Sequence, residues 1–225
     1  MLIRLLSDPD KIILLKLANL LCLSDNPLHW DGKTSDELTS NSDFGALSIQ
    51  ENELESELLS DMLISAGLPE PDLSITNKED EIAYKSIIRG YVSPTAAAVA
   101  TIAGIGRPKS SKKTSLSVQE RLVETLKSFS VAKLEQPEIR AQASTTVLRE
   151  LIKNHTFVFP SSPKIILYEL FLVALRDGHI SNIEWTLLRE YQHHYGLEDF
   201  IFEDLLERAE SLNQEMNKTI SLVLE

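Results

Sequence analysis

Cysteine is almost absent from the sequence: Cys22 is the only one among 225 residues. One thiol cannot form a disulfide within the chain, so a small secreted fold stabilised by disulfides is excluded. A reducing compartment, the cytoplasm, is therefore expected. Cys22 lies in the apolar run KLANLLCLSD, where a buried and unreactive thiol is expected. Long apolar runs are lacking too, since no stretch reaches the roughly 18 residues that predict a membrane-spanning helix, and no signal peptide is recognisable.

Positive charge is also scarce. The chain has 22 Lys and Arg against 34 Asp and Glu, which gives a net charge of -12 and a pI near 4.9. Sequence-specific binding of nucleic acid is therefore not expected, because contact with phosphates needs a basic surface. An acidic protein of this kind suits a cation or a basic protein surface as its partner.

Helical periodicity dominates what the sequence does contain, and it predicts an all-α fold. The hydrophobic content of 43% is enough for a substantial core. Residues 25–47 are polar and are predicted to form a long loop. The expected helix starts are Ser7-Asp8-Pro9, the capping box Ser48-Ile49-Gln50-Glu51, Ser115, Pro137, Ser162-Pro163 and the capping box Ser181–Glu184.

An internal repeat organises these helices. KIILLKL at Lys11 and KIILYEL at Lys164 match at five of seven positions. Each apolar helix is followed by an acidic loop, a Ser-x-x-Glu capping box, and a second helix that ends in Gly-Leu. We therefore predict one helical domain built from two pseudo-repeated helix–acidic loop–helix units, residues 1–68 and 135–225, with a partly flexible insert at 69–134. The two apolar helices should pack at its centre.

The acidic loop of the second unit resembles the back half of a calcium-binding EF-hand. Asp177, Gly178, Ile180 and Glu184 fit loop positions five, six, eight and twelve. Positions one and three would be apolar residues inside a helix, so an EF-hand is not expected. Helix capping by Gly178 and by the Ser181–Glu184 box explains every residue of the motif except Asp177.

The longer pattern ALRDGHISNIEWTLLREYQHHYGL, residues 174–197, resembles the TerB-like family of tellurite-resistance proteins and some DnaJ-type cochaperones. The likeness extends from about Lys164 to Leu206. The first unit departs from the family pattern, because it has the longer segment SDNPLHWDGK in place of the compact turn. Either Asp25 or Asp31-Gly32 takes the position of that turn. The resemblance implies a helical, non-enzymatic stress-response protein that holds a divalent cation, such as calcium, magnesium or zinc, between its two acidic loops.

The repeat itself predicts where such a site would lie. Acidic loops at equivalent ends of related helices should converge, bringing together Asp25, Asp177, Glu184 and either Glu51 or Glu55. Clustered carboxylates repel one another unless a cation or a basic partner neutralises them. The alternative is that these carboxylates only cap helices and are solvated.

Two further segments suggest partners. In SPTAAAVATIAGIGRPKSSKK, residues 93–113, small side chains precede Arg107, Lys109, Lys112 and Lys113. This segment is expected to be a mobile insert, a tether to anionic membrane or phosphate, or a helix packed against a protein partner. The apolar stripe of the C-terminal helix either closes the core or forms a homodimer seam; its members are Leu205, Ala209, Leu212, Met216, Ile220 and Leu224.

Catalytic motifs are lacking. Glu190 and His193 form a Glu-x-x-His pair, but a di-iron carboxylate site needs a second such pair, and the sequence has none. We expect a non-enzymatic protein that binds a cation, a protein partner, or both. The alternative function is an accessory scaffold subunit of a larger complex, with no role for metal.

Overall fold

A computed structural model describes residues 2–39, 42–50, 52–67 and 117–224. These residues form a helical assembly with one short two-stranded sheet, which confirms the all-α prediction. The helices are α1 (Asp8–Asp25), α2 (Glu53–Ser65), α3 (Val118–Lys127), α4 (Pro137–Ile152), α5 (Ser162–Ala174), α6 (Asn182–His194) and α7 (Asp199–Leu224), and the strands are β1 (Leu28–Trp30) and β2 (Leu47–Ile49). Within these ranges, none of the helices is both long enough and apolar enough to span a membrane.

The two apolar helices of the repeat lie at the centre, as predicted. α1 packs directly against α5 and also contacts α2, α3, α4 and α6, while α5 is covered on its other side by α7. Both helices are apolar on most faces, so they are stable only where neighbours surround them. Leu14 and Leu20 of α1 and Leu167 and Phe171 of α5 are completely or almost completely buried.

The central helices run in the same direction. At their N-terminal ends, the Ser162 hydroxyl of α5 donates to Asp10 Oδ2 of α1 over 2.8 Å. At the other end, the hydroxyl of Ser181, just beyond α5, donates to Asp25 Oδ2, at the end of α1. The two acidic loops therefore meet at one end of the helix pair.

Most predicted helix ends are confirmed. Ser7 caps α1, and the Ser181–Glu184 capping box is complete at the start of α6. Gly67 and Gly178 follow their helical segments with φ of +64° and +93°, the left-handed conformation that glycine adopts without strain. The predicted cap at Ser162 is wrong, because this residue is already helical and its hydroxyl is bonded to Asp10 instead.

The loop predicted for residues 25–47 contains structure that the sequence did not indicate. β1 pairs antiparallel with β2, and Asp31 and Gly32 form the tight turn after β1, where Trp30 and Lys33 exchange backbone hydrogen bonds. The predicted capping box at Ser48 is therefore wrong: Ser48 lies in β2, and α2 begins later, where Asn52 Oδ1 accepts the Leu54 N–H over 3.1 Å. Burial of Leu47 and Ile49 on one face of the strand explains the preference for β structure here.

The segment predicted as an insert contributes one helix to the core. Val118, Leu122 and Leu126 of α3 are buried against α1 and α4. The expectations for residues 93–113, with Arg107, Lys109, Lys112 and Lys113, and for Glu51 lie outside the described residues.

Candidate functional site

Four acidic side chains from different segments converge beside the C-terminal end of α1. Asp25 ends α1, Glu55 lies in the first turn of α2, Asp177 ends a 3-10 turn after α5, and Glu184 lies in the first turn of α6. Asp25 and Asp177 each raise the pKa of Glu55 and of Glu184, so all four belong to one electrostatic cluster. We call these four residues the acidic corner; they are the residues that the repeat predicts.

Ser181 joins the two repeat units within the acidic corner. Its hydroxyl donates to Asp25 Oδ2 and accepts the backbone N–H of Glu184 at 3.2 Å. In return, the Ser181 N–H donates to Glu184 Oε2 over 2.8 Å. The capping box of α6 therefore also holds the last residue of α1, a role that the cap motif alone does not reveal.

Asn26 and Arg140 fix the first-unit side of the acidic corner. Asn26 Nδ2 donates to Glu55 Oε2 over 2.6 Å, and Arg140 Nη2 donates to the Asn26 carbonyl over 2.6 Å. Asn26 and Arg140 are both buried. Neither residue was predicted from the sequence as part of the site. Arg140 comes from α4, and no local pattern links it to Asn26 at the end of α1.

Glu184 has the most strongly perturbed carboxyl group of the acidic corner. Its pKa is raised from 4.5 to about 7, mainly by burial and also by the charges of Asp25 and Asp177, which act against the hydrogen bonds from Ser181. Near neutral pH the side chain therefore exchanges between its protonated and its ionised form. A proton on Glu184 is one way in which the cluster relieves its own repulsion.

Two guanidinium groups offset part of the negative charge. Burial raises the pKa of Glu55, and the charge of Arg176 acts against this rise. Burial likewise lowers the pKa of Arg140, and the charge of Asp25 acts against that fall. With every group ionised, two guanidiniums against four carboxylates leave a surplus of two negative charges. Asp25 and Asp177 are exposed, so a solvated cation can approach this surplus.

Cys22 lies close to the same cluster but remains a neutral thiol. Burial raises its pKa to about 12, and the charges of Glu55 and Glu184 act in the same direction. The thiolate is the form that binds soft metal ions and attacks electrophiles. The unreactive thiol expected from the sequence is therefore consistent with its surroundings, and the acidic corner offers oxygen atoms to a hard cation rather than sulfur to a soft one.

The carboxylates are not arranged for direct coordination of a metal ion. Within the part of the chain that the structure describes, no three His, Cys, Asp or Glu side chains are grouped so that they could hold one. Asp25 and Glu55 are each bonded to a neighbouring donor instead. A fully protein-coordinated ion does not fit this arrangement.

The structure distinguishes the two candidates for the acidic residue of the first unit. Asp31, with φ of +52°, is an exposed residue in the hairpin turn after β1. Asp25 is the residue that bonds to Ser181 of the second unit. Asp25 therefore occupies the position that pairs with the Asp177 loop.

The Glu190–His193 pair has a structural explanation. Arg149 of α4 donates from Nε to Glu190 Oε1 over 2.6 Å and from Nη2 to Oε2 over 3.0 Å. His193 is exposed. The bidentate ion pair links α4 to α6 on the surface of the protein.

Comparisons of the chain with protein families, with curated proteins and with solved structures each found no match. The resemblance to the TerB-like family therefore stays a prediction that rests on the motif and its repetition.

Proposed function

We propose that the protein is a non-enzymatic helical module that binds a hydrated divalent cation at the acidic corner. One observation carries this proposal: carboxylates from both repeat units converge at one end of the core, where the charges of Asp25 and Asp177 add to the burial that raises the pKa of Glu184 to about 7. The part of this shift that comes from the neighbouring carboxylates means that an additional positive charge at this point would be favourable. At neutral pH a proton supplies that charge for part of the time, and a cation can replace it.

Calcium and magnesium suit this corner better than zinc. The available groups are carboxylate oxygens, which hard cations prefer, and Cys22 remains protonated. Magnesium in particular keeps several of its waters when it binds to proteins. An ion held through its water shell does not require the carboxylates to close around it, and so it is compatible with the observed spacing. We expect weak binding, with a Kd of about 10⁻⁴–10⁻³ M.

The resemblance to the TerB-like family extends this proposal to a cytoplasmic protein of a tellurite-type stress response.

A second candidate function is docking of a basic protein surface on the acidic corner, as in an accessory subunit of a larger complex. The exposure of Asp25 and Asp177 and the net charge of -12 favour this candidate.

Thermal melting in the presence of calcium, magnesium, manganese or zinc tests the proposed function. At about 10 mM of a cation with a Kd near 1 mM, binding adds about 1.4 kcal/mol to the stability of the folded state. For a protein of this size, that free energy raises Tm by about 3–5 °C. Asp177→Asn and Glu184→Gln should lose this increase, whereas Glu203→Gln, which removes an exposed carboxylate from α7, should retain it.

The outcomes separate the two candidate functions. If none of the four cations shifts the Tm of the wild type, the cation site is excluded. A lysine-rich peptide that then binds to the wild type, but not to a variant combining Asp25→Asn with Asp177→Asn, would support docking of a basic protein instead.

A further inference from the structure

The segment before α1 lies against helices of both repeat units. Residues 2–6, which we call the strap, contain one 3-10 turn, Ile3–Leu5, and this turn contacts α2 of the first unit and α5 of the second. Ile3 and Leu6 are buried in the core, whereas Leu2 and Leu5 are 42% and 63% exposed. A segment with so few buried side chains opens more easily than the core itself.

A buried glutamate lies beneath the strap. Glu169 comes from the middle of α5, and its side chain is completely buried. One of its oxygens, Oε1, accepts the backbone N–H of Leu2 and so joins the strap to the central helix. The other oxygen, Oε2, is also buried and has no hydrogen-bonding partner among the described residues.

An ionised carboxylate is poorly accommodated at this position. A buried charge is costly unless hydrogen bonds or opposite charges compensate it, and Oε2 of Glu169 receives no hydrogen bond. Burial raises the pKa of Glu169, against the hydrogen bond from Leu2 and the positive charge of the α-amino group. The neutral carboxylic acid can still accept the Leu2 N–H through its carbonyl oxygen, and it avoids the cost of a buried charge.

We propose that the strap is a pH-sensitive latch, which is closed over Glu169 while that carboxyl group is protonated and opens when the proton is lost. In the open form, water reaches the Glu169 carboxylate and solvates its charge. Opening also uncovers the part of the core that Ile3 and Leu6 cover.

The direction of the pH dependence follows from the two forms of the strap. The closed form holds the proton of Glu169 more tightly than the open form, in which the side chain is solvated. The free energy that this proton contributes to closing is therefore fully present below about pH 4.5, the ordinary pKa of a glutamate. It is lost as the pH rises through the raised pKa of the closed form.

Other ionisable groups near the latch do not titrate in the same range. Among the described residues, no charged side chain of another element shifts the pKa of Glu169. Burial and the charge of Glu169 raise the pKa of the adjacent Tyr168, and Arg208 of α7 acts against this rise. Tyrosine and arginine keep their charge state below about pH 8, and an α-amino group loses its proton only near that pH. A change in the strap between pH 5 and pH 7 therefore points to Glu169.

Methyl NMR of isoleucine-labelled protein between pH 5 and pH 7 tests the latch. The Ile3 methyl signal should shift from its buried position toward that of a solvated isoleucine as the pH rises, over the interval in which the carboxyl carbon of Glu169 titrates. The methyl signal of Ile49, which is buried in β2, should not move. An Ile3 signal that stays at its buried position throughout, or that moves where Glu169 does not titrate, would overturn the proposal.

Glu169→Gln separates the latch from other effects of pH. Glutamine keeps an oxygen for the Leu2 N–H and is neutral at every pH, so the Ile3 signal of this variant should stay at its buried position up to pH 7. Glu203→Gln, which removes an exposed carboxylate from α7, should behave as the wild type does. An Ile3 signal that moves equally in Glu169→Gln and in the wild type, or that is already solvated at pH 5 in Glu169→Gln, contradicts the latch.

Discussion

Two aspartates of α1, Asp10 and Asp25, lie at opposite ends of the central helix pair and in opposite environments. At the N-terminal end, Asp10 is completely buried, with His155 Nε2 at 2.9 Å from one oxygen and the Ser162 hydroxyl at 2.8 Å from the other. We call these three residues the polar junction. At the C-terminal end, Asp25 is exposed, and its neighbours include three further carboxylates.

The comparison shows why Asp10 and Asp25, two aspartates of the same helix, are expected to have different roles. In the polar junction each oxygen of the carboxylate has a hydrogen-bonding partner, so the junction is a structural link between the two repeat units. In the acidic corner the negative charges outnumber the nearby positive ones, and the solvent is accessible. We therefore expect a cation to stabilise only the second arrangement.

The largest expected effect comes from breaking the polar junction. Asp10→Ala leaves the buried Ser162 hydroxyl and the His155 ring without their partner, and we expect a loss of about 3 kcal/mol in the free energy of unfolding, measured by urea denaturation. Asp25→Ala is the matched change at the other end of the same helix, and it should cost less than about 1 kcal/mol because the site is exposed. Equal losses in the free energy of unfolding for the two variants would contradict the view that Asp10 has a structural role and Asp25 does not.

Loss of Arg140 should have the next largest effect. Arg140→Met keeps the length of the side chain but removes the donor to the Asn26 carbonyl and a positive charge beside Asp25, so we expect a loss of about 2 kcal/mol. Arg149→Met, on the same helix, breaks an exposed ion pair with Glu190 and should cost clearly less stability than Arg140→Met. Guanidinium chloride denaturation of both variants measures the difference. A smaller loss for Arg140 than for Arg149 would mean that the end of α1 does not depend on this contact.

The smallest of these effects is a pH dependence that only the acidic corner should show. The pKa of Glu184 is raised from 4.5 to about 7 in the folded protein, so the folded state holds this proton more tightly than the unfolded chain. The contribution of Glu184 is therefore fully present at low pH and is lost as the pH rises from about 4.5 to about 7. Glu55, whose pKa is also raised by burial, acts in the same direction.

Glu184→Gln should remove most of this slope, because glutamine stays neutral and keeps the capping contact with Ser181. Relative to wild type, we expect the variant to gain about 1 kcal/mol between pH 5 and pH 8, allowing for solvent screening at this half-buried site. Denaturation at several pH values measures the slope, and Glu203→Gln should leave it unchanged. A variant with the slope of the wild type would show that Glu184 does not titrate in this range.

The sequence predicted the helices and the acidic corner because both follow from local patterns that are repeated. Apolar periodicity marked α1 and α5 as buried, and the acidic loop that follows each of them implied that these loops lie at equivalent ends. The Ser-x-x-Glu feature supported this only in the second unit, because Ser48 lies in β2 and caps no helix. These features predict Asp177 and Glu184 directly, and they leave Asp25 or Asp31 and Glu55 or Glu51 as alternatives for the first unit.

What the sequence did not predict depends on contacts between distant segments. The two strands are three residues each and separated by a polar stretch, so their pairing has no clear local pattern. Ser162 looked like a cap because it precedes a proline, but a distant carboxylate, Asp10, binds its hydroxyl. Arg140 is one of several arginines on helices, and only the fold places it against the end of α1.

The central claim, that the acidic corner and not the polar junction attracts a cation, is tested most directly by manganese in a backbone amide NMR spectrum. Paramagnetic broadening falls steeply with distance, and Asp10 and Asp25 lie about 22 Å apart along α1 at 1.5 Å per residue. With substoichiometric Mn²⁺, we expect the amide signals of Asp25, Asn26, Gly178 and Ser181 to broaden first, while that of Asp10 remains sharp. Equal broadening at both ends of α1, or no broadening at residues 25, 26, 178 and 181, would contradict the account.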